Sequence, residues 1–292
     1  MNRKFIKKVT LLIFTLCFAT VLAGCRIDFN TVKETADGTA TVNFLDAGQG
    51  DSAFIELPDN KTMLIDASTA DCGDGIVSYI KGKGYSKIDY LVATHPHADH
   101  IGGMKSVVNS FDIGEIYMPR AATSTKTFKN LLQAIKNKGK TIKTAKAGVN
   151  MFDFGGCKCD ILAPNGEDYD SLNNYSAVIK LKFGETSFLF MGDAEEESED
   201  VITADVSANV LKVGHHGSST STSQDFLNRV APVAAVISCG KDNSYGHPHR
   251  ETLEKLEDIG VCVYRTDLSG TIVAVTDGET VEISAGGESI ER

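Results

Sequence analysis

Four residues that commonly bind divalent cations stand within six positions of the chain, namely His95, His97, Asp99 and His100. Imidazole nitrogens and carboxylate oxygens are the usual protein ligands of borderline cations such as zinc. A run this short cannot aim all four side chains at one ion. The alternating spacing therefore predicts that the first two face one ion and the last two face another, as in hydrolases whose two metals lie about 3.5–4 Å apart.

The segment before this motif indicates how it is positioned. Residues 88–93 form a short apolar run, which predicts a buried strand. The ligands would then lie on the loop at the C-terminal end of the strand, where open α/β sheets place their chemistry. The alternative is a His-rich surface loop, but Gly102, Gly103 and further polar residues downstream favour a site.

Two aspartates follow other apolar segments. Asp193 comes directly after residues 188–192, and a carboxylate there can bridge two cations because it offers two oxygens. Asp66 follows residues 63–65 and could orient a ligand imidazole without touching the metal. A turn or capping role is the alternative for both residues.

The remaining histidines also follow predicted strands. His215 and His216 come after residues 209–213, and we expect one to bind metal and the other to donate a proton or contact substrate, with His216 as the favoured ligand. His247 and His249 could supply a general acid or contact a phosphate. A turn held by the residues around them is the alternative.

The first residues of the chain are typical of a secretory signal. Cations precede an apolar stretch over 9–22, and small residues follow it before Cys25. Because a cysteine at that point is typical of lipidated bacterial proteins, we predict a lipoprotein signal peptide over 1–24, a tether over 25–38 and one hydrolase domain over 39–292. The product would be extracytoplasmic and held to a membrane through lipidated Cys25. A membrane-spanning anchor, which needs about 20 apolar residues, and cleavage without lipid are the alternatives.

Charge is unevenly distributed. The whole chain has a net charge of −10, which does not favour nucleic-acid binding through overall charge. Residues 120–146, however, contain several lysines and no acid. A polyanion such as DNA could be contacted there through Lys126, Lys129, Lys136 and Lys138, and a solvated helix face is the alternative.

The order of elements predicts a layered α/β sandwich. Two β-rich halves each begin with hairpins and continue into alternating strands and helices. Helices are expected over 75–81, over 104–109 and around the helically spaced Phe128, Leu131 and Ile135, with Gly139 as the stop. The last strand is expected over 271–275.

Together these residues resemble the metallo-β-lactamase superfamily. The order of metal ligands in that superfamily is matched here by the run from His95 to His100, then Asp193, then His215-His216. The likeness is closer to one branch, the hydrolase domain of ComEC-type competence proteins. The motifs that carry this likeness are residues 44–51, 173–176, 212–218, 245–249 and 266–271.

The resemblance implies a four-layer αββα sandwich in a single domain, with two divalent ions, Zn or Mn, at one edge and hydrolysis by a metal-activated water. This chain departs from many members in having no histidine between His100 and His215. Asn173, Asn174 or Ser176 would stand nearby, and more oxygen ligands make manganese a rival to zinc.

We therefore predict a secreted, lipid-anchored binuclear hydrolase, a phosphodiesterase or nuclease that acts on DNA. Alternatives are a phosphocholine esterase or other surface-polymer hydrolase, and a non-catalytic metal-dependent binding lipoprotein. Asp99, His215 and His247 are the expected catalytic residues. One ion is expected on His95, His97 and Asp193. The other is expected on Asp99, His100, Asp193 and His216.

Overall fold

Two β-sheets form the centre of the molecule in the computed structural model, which describes residues 26–28, 38–287 and 289–290. Within these residues the first sheet has nine strands and the second has seven. The strands are β1 (Arg26–Asp28), β2 (Ala40–Phe44), β3 (Ala53–Glu56), β4 (Thr62–Ile65), β5 (Lys87–Val92), β6 (Asp112–Met118), β7 (Ile142–Thr144), β8 (Val149–Phe154), β9 (Cys157–Ala163), β10 (Val178–Phe183), β11 (Thr186–Phe190), β12 (Val210–Lys212), β13 (Ala234–Ile237), β14 (Cys262–Arg265), β15 (Thr271–Thr276) and β16 (Thr280–Gly287).

The strand order is β1-β16-β15-β2-β3-β4-β5-β6-β7 in the first sheet and β14-β13-β12-β11-β10-β9-β8 in the second. Hairpins build one side of each sheet. Strands β4 to β7 run parallel to one another, and so do strands β11 to β14. Each sheet therefore contains a group of strands whose carboxyl ends meet at one edge.

Helices cover the outer face of each sheet. Apolar residues of α1, α3 and α4 pack on the first sheet, and those of α6 and α7 pack on the second. The helices are α1 (Gly73–Gly82), α2 (Ala98–Ile101), α3 (Met104–Ser110), α4 (Lys126–Asn137), α5 (Glu196–Val201), α6 (Gln224–Val230), α7 (Arg250–Asp258) and α8 (Thr266–Ser269).

The core lies between the two sheets. Phe44 and Ile55 of the first sheet and Phe188 and Phe190 of the second are among its fully buried side chains. The rings of Phe44 and Phe190 have centroids 5.9 Å apart across this interface. The predicted single-domain αββα sandwich is confirmed.

Helix α4 illustrates how the sequence specifies an element. The Thr125 hydroxyl accepts a hydrogen bond from the Phe128 amide and caps the first turn. Phe128, Leu131 and Ile135 are buried on one face, as helical spacing requires. The chain leaves the helix at Gly139, whose φ of 69° suits glycine, so the predicted stop is confirmed.

The end of the chain differs from the prediction. The strand expected over 271–275 is present as β15, but β16 follows it as an antiparallel partner. Val281 and Ile283 of β16 are buried and alternate with exposed neighbours, a pattern that the glycines at the end of the strand weaken in the sequence.

Part of the predicted N-terminal organisation falls outside the described residues. The predicted signal peptide and Cys25 both lie there. Strand β1 falls within the range predicted as a tether and pairs with β16. None of the helices in the described ranges is long and apolar enough to span a bilayer.

Candidate metal centre

The first group of candidate ligands gathers around one oxygen of Asp193. Asp193 Oδ1 lies 3.1 Å from His100 Nε2 and 3.6 Å from His216 Nε2. His216 Nε2 is also 3.4 Å from Asp99 Oδ2. Ligand atoms of these four residues all lie within 4.8 Å of one another. They come from three separate loops, each at the carboxyl end of a parallel strand.

The second group uses the other oxygen of the same carboxylate. His95 Nε2 lies 3.7 Å from Asp193 Oδ2 and 3.0 Å from His97 Nδ1. Ligand atoms of these three residues also lie within 4.8 Å of one another. Asp193 therefore presents one oxygen to each group, as a bridging carboxylate must.

Buried polar atoms that lack a hydrogen bond indicate whether these residues can bind a cation. His100 Nε2, His216 Nε2 and Asp193 Oδ1 are buried and lie close together, but none of them makes a hydrogen bond of good geometry. A buried polar atom without a partner costs about 1–3 kcal/mol, and a charged one costs more. All three atoms face the same point, where a divalent cation would satisfy them together. The donor set therefore fits a metal.

Residues behind the ligands fix the orientation of two imidazoles. His100 Nδ1 lies 2.7 Å from Asp66 Oδ2, and Asp66 in turn accepts hydrogen bonds from the amide and hydroxyl of Thr94. His216 Nδ1 lies 3.0 Å from the carbonyl oxygen of Ser238. Because a carbonyl only accepts, Nδ1 of His216 carries a proton, and Nε2 is the atom left to face the metal group.

A buried ion pair lies behind His216. Asp51 is 3.2 Å from His216 Nδ1 and 2.8 Å from Lys212 Nζ, and all three side chains are buried. Burial alone would raise the pKa of Asp51, but Lys212 and His216 outweigh it and lower that pKa to about 2. Asp51 is therefore a fixed negative charge beside a candidate ligand.

The charges of the ligands depend on one another. Burial disfavours a charged imidazole, yet the carboxylates of Asp193 and Asp51 raise the pKa of His216 to about 10. The pKa of His100 is also raised well above its usual range against burial, by Asp193 and Asp66. Burial, and next to it the charge of His100, instead holds the pKa of His95 well below its usual range. Without a cation, protons on two histidines thus balance the shared carboxylate, and a bound metal would displace them.

The backbone is strained at these positions. His215 and His216 have φ values of 47° and 53°, which non-glycine residues rarely adopt. Gly192, directly before Asp193, has a φ of 54°, and a Cβ there would stand 2.9 Å from Thr94 Cβ. Strain of this kind persists only where the surrounding structure enforces it, and it clusters at functional sites.

An open cavity of about 310 Å³ gives access to both groups. Its wall combines candidate ligands with neutral polar groups and one tyrosine. The lining residues are Gln49, His97, Ala98, Asp99, Asn173, Asp193, His215, His216, Tyr245 and His247.

His215 and His247 stand on the cavity wall outside both ligand groups. His215 Nδ1 is 3.3 Å from Glu195 Oε1 and 3.1 Å from the Thr220 hydroxyl, so its Nε2 faces the cavity.

Burial, followed by the charges of His216 and His215, lowers the pKa of His247 to about 4. His247 is therefore neutral near pH 7. His249 lies further out and accepts a hydrogen bond from the Ser219 amide through Nδ1.

Three residues were expected near the position where a ligand histidine is absent. Asn173 lines the cavity, and its Oδ1 is buried without a partner. Ser176 instead accepts from the Asp193 amide at 3.0 Å and lies 3.3 Å from His95 Nδ1. Asn174 accepts from the Glu195 amide. Of the three, Asn173 alone lines the cavity and has a side-chain oxygen without a hydrogen-bond partner.

Sequence reasoning assigned no role to Glu195, to Asp51 or to the carbonyl of Ser238. Glu195 stands two residues after Asp193, and this closeness in the sequence was the one weak sign that Glu195 belongs to the site. Asp51 belongs to a motif that supported the family resemblance, but its partners lie more than 150 positions away in the sequence. Such a partner becomes visible only once the sheets are assembled.

Two carboxylate–imidazole groups that share one aspartate, at one edge of an αββα sandwich, define the class of metal-dependent hydrolases with paired ions. Residues 45–241 match the metallo-beta-lactamase superfamily. The chain belongs to that superfamily, and it has the fold and the candidate divalent-metal ligands of its hydrolases.

Curated relatives of this chain include competence proteins of the ComEC type. The chain is 32% identical to ComE operon protein 3 of Bacillus subtilis over 79% of its own length, and 29% identical to Recombination protein 2 of Haemophilus influenzae over 89%. It spans only about a third of each of these relatives, 32% and 31% respectively. Among solved structures, CmlA, a diiron beta-hydroxylase from Streptomyces venezuelae, shares the fold with a TM-score of 0.54 at 14% identity, covering 81% of this chain and 54% of that one.

Proposed function

We propose that this protein is a divalent-metal-dependent phosphodiesterase that cleaves DNA outside the cytoplasm, held to a membrane through a lipid on Cys25. The observation that carries the proposal is the position of Asp193, with one carboxylate oxygen toward each ligand group and an open cavity beside it. Paired ions across an open cavity are the arrangement used by enzymes that hydrolyse phosphate esters.

The ligands divide between two ions, which are zinc or manganese. Bound there, the ions would lower the pKa of water toward neutrality and offset charge on the phosphate. We assign the orphaned Asn173 Oδ1 to the ion of the second group, where a histidine is absent. The ion of the second group would be held by His95, His97, Asp193 and Asn173. The ion of the first group would be held by Asp99, His100, Asp193 and His216.

Side chains on the wall complete the proposed chemistry. His215 presents Nε2 to the cavity because Glu195 and Thr220 hold Nδ1, and we assign it proton donation to the leaving oxygen. His247 is neutral near pH 7, so its role is a hydrogen bond to the substrate rather than a positive charge. Asp99 is about one-third exposed at the cavity and is the carboxylate best placed to accept a proton from water.

Two observations support DNA as the substrate. Two curated relatives are named Recombination protein 2 and, in Neisseria gonorrhoeae, Competence protein ComA, and both names refer to processes that handle DNA. The lysine-bearing helix α4 also begins on the side of the site, because it follows β6, which runs parallel to the ligand-bearing β5. Lys126 and Lys129 at its start are exposed, as is Lys136, and Lys138 follows the helix at its far end.

The far end of this basic segment lies away from the site. Lys140 pairs with Asp112 at 3.8 Å, and Asp112 begins β6 at the opposite edge of the sheet. We propose that these lysines form a track along α4, whose Lys126 end lies toward the sheet edge that carries the candidate ligands. A polyanion longer than the cavity could follow that track.

The cavity favours this function over a phosphocholine esterase. A quaternary ammonium group is recognised by several aromatic faces around it. Tyr245 is the only tyrosine or phenylalanine among the residues that line this described cavity. A cage of that kind is therefore not built at this site.

Cleavage assays on the full chain test the proposal. Metal-replete protein is incubated with single- and double-stranded DNA and, in parallel, with a phosphocholine ester, with Mn²⁺, with Zn²⁺ or with EDTA. We expect DNA cleavage that requires the metal and is lost in Asp193→Asn, while that variant still binds DNA. Cleavage of the phosphocholine ester alone would favour the esterase. Absence of any cleavage, with loss of affinity in Asp193→Asn, would favour a binding lipoprotein.

A further inference from the structure

The mouth of the cavity carries one exposed aromatic side chain. Tyr245 is 65% exposed, although large apolar side chains elsewhere in the described residues are mostly buried. It lines the cavity together with the candidate ligands and lies on the loop that leads to His247. An aromatic ring that stays in water at the rim of a site is available for contact with a ligand.

Three rings form a row from the metal centre to this rim. The rings of Tyr245 and His247 have centroids 5.6 Å apart and planes 20° apart. His247 and His216 follow, with centroids 6.1 Å apart and planes 30° apart. The row therefore begins at a candidate metal ligand and ends with a ring that stands largely in solvent.

The loop that carries Tyr245 and His247 is held by its own hydrogen bonds. Asn243 accepts from the His247 amide at 3.0 Å and donates to the carbonyl oxygens of Gly240 and His247. The His249 amide donates to the Gly217 carbonyl at 2.9 Å, which ties the loop to the segment of His216. The backbone that carries Tyr245 is thus held in place before a ligand arrives.

We propose that Tyr245 is the stacking surface for a nucleobase next to the scissile phosphate, so that the substrate is single-stranded nucleic acid. This inference rests on the phosphodiesterase function proposed above. A flat, mostly exposed ring in line with two imidazoles matches the face of a base, and aromatic stacking binds bases with little regard to sequence. A base in a single strand can unstack and offer a free face, whereas both faces of a base inside a duplex are covered by the neighbouring pairs.

The stacking surface can be tested by binding alone. Fluorescence anisotropy in EDTA compares a labelled oligothymidylate, an abasic oligomer of the same length and a blunt duplex. We expect the full chain to bind oligothymidylate most tightly. Tyr245→Leu, which keeps an apolar side chain without a ring, should weaken that binding by about 5- to 100-fold and leave the abasic oligomer unchanged. Tyr245→Phe should retain the affinity for oligothymidylate.

Leu268→Ala is the matched control, because Leu268 is 72% exposed and does not line the cavity. It should bind all three ligands as the unchanged chain does. Four results would each overturn the inference. They are equal binding of oligothymidylate and the abasic oligomer, tighter binding of the duplex, no binding of any of the three, and unaltered binding by the Tyr245→Leu variant.

Cleavage with metal is measured separately. Loss of base discrimination in a chain that still cleaves DNA would reject the stacking role alone, whereas discrimination without cleavage would reject the phosphodiesterase function.

Discussion

Asp66 Oδ2 lies 2.7 Å from Nδ1 of His100, and both side chains are fully buried. Burial raises the pKa of Asp66, while the charge of His100 opposes that rise. The pair turns Nε2 of His100 toward Asp193 and supplies negative charge behind the ligand. Partners of this kind set both the orientation and the basicity of a metal-binding imidazole.

We expect Asp66→Asn to weaken binding of one metal ion by about 10- to 100-fold, because the amide keeps the shape of the carboxylate but removes its charge. Titration against a competing chelator measures this affinity. Asp89→Asn is the control. Asp89 contacts Lys61 and Lys87, and it contacts none of the candidate ligands. Unchanged affinity in Asp66→Asn would contradict the orienting role.

A second prediction concerns the oxygen that replaces a ligand histidine. Asn173→Ala removes the orphaned Oδ1 and should lower the affinity of the ion held by His95 and His97 by about tenfold or more, leaving the other ion bound. Asn173→Asp retains an oxygen there and should preserve two ions. Metal content after dialysis against graded chelator separates these outcomes. Asn150→Ala, on β8, is the control. Two equally tight ions in Asn173→Ala would show that Asn173 is not a ligand.

The buried ion pair behind His216 makes a prediction about stability. Removing Lys212 leaves Asp51 buried with His216 as its remaining charged partner, and Lys212→Met should lower the free energy of unfolding by about 1–3 kcal/mol. Arg250→Met is the comparison. Its partner Glu254 lies 3.1 Å away, but the two side chains are 84% and 54% exposed, so the expected change is at most about 0.5 kcal/mol. Urea unfolding in EDTA measures both values. Equal effects would mean that the buried Lys212–Asp51 pair stabilises the fold no more than an exposed pair does.

The lysine track makes a prediction about salt. Lys126→Gln and Lys129→Gln should each weaken DNA binding and reduce the slope of log K against log salt concentration by about 1. Lys158→Gln and Lys182→Gln, on β9 and β10 of the second sheet, are matched controls and should leave the slope unchanged. The same reduction in all four variants would indicate a general charge effect instead of a track on α4.

Much of the centre was accessible from the sequence because its signals are local. The run from His95 to His100 places several ligands within one loop, and Asp193 and His216 each follow a short apolar strand. Parallel strands bring their carboxyl ends to one edge, so the ligands could be expected to meet there. This reasoning needs only strand assignments and residue types.

The supporting residues could not be predicted, because their roles depend on distant partners. Asp51 lies in a glycine-rich turn, where an aspartate is ordinary, and its contact with Lys212 exists only after the two sheets pack. Glu195 lies in an acidic stretch that reads as solvated surface, yet it contacts His215. The role of Tyr245 could not be predicted either, since only the folded loop shows that its ring stays exposed at the cavity.

The most direct test of the paired-ion centre is anomalous diffraction from crystals of the full chain grown with Mn²⁺ or Zn²⁺. We predict two anomalous peaks about 3.5–4 Å apart, with one oxygen of Asp193 on each, His100 and His216 on one ion and His95 and His97 on the other. A chain that holds no ordered ion, or whose ions lie out of contact with Asp193, would contradict the paired-ion centre on which the proposed hydrolysis depends.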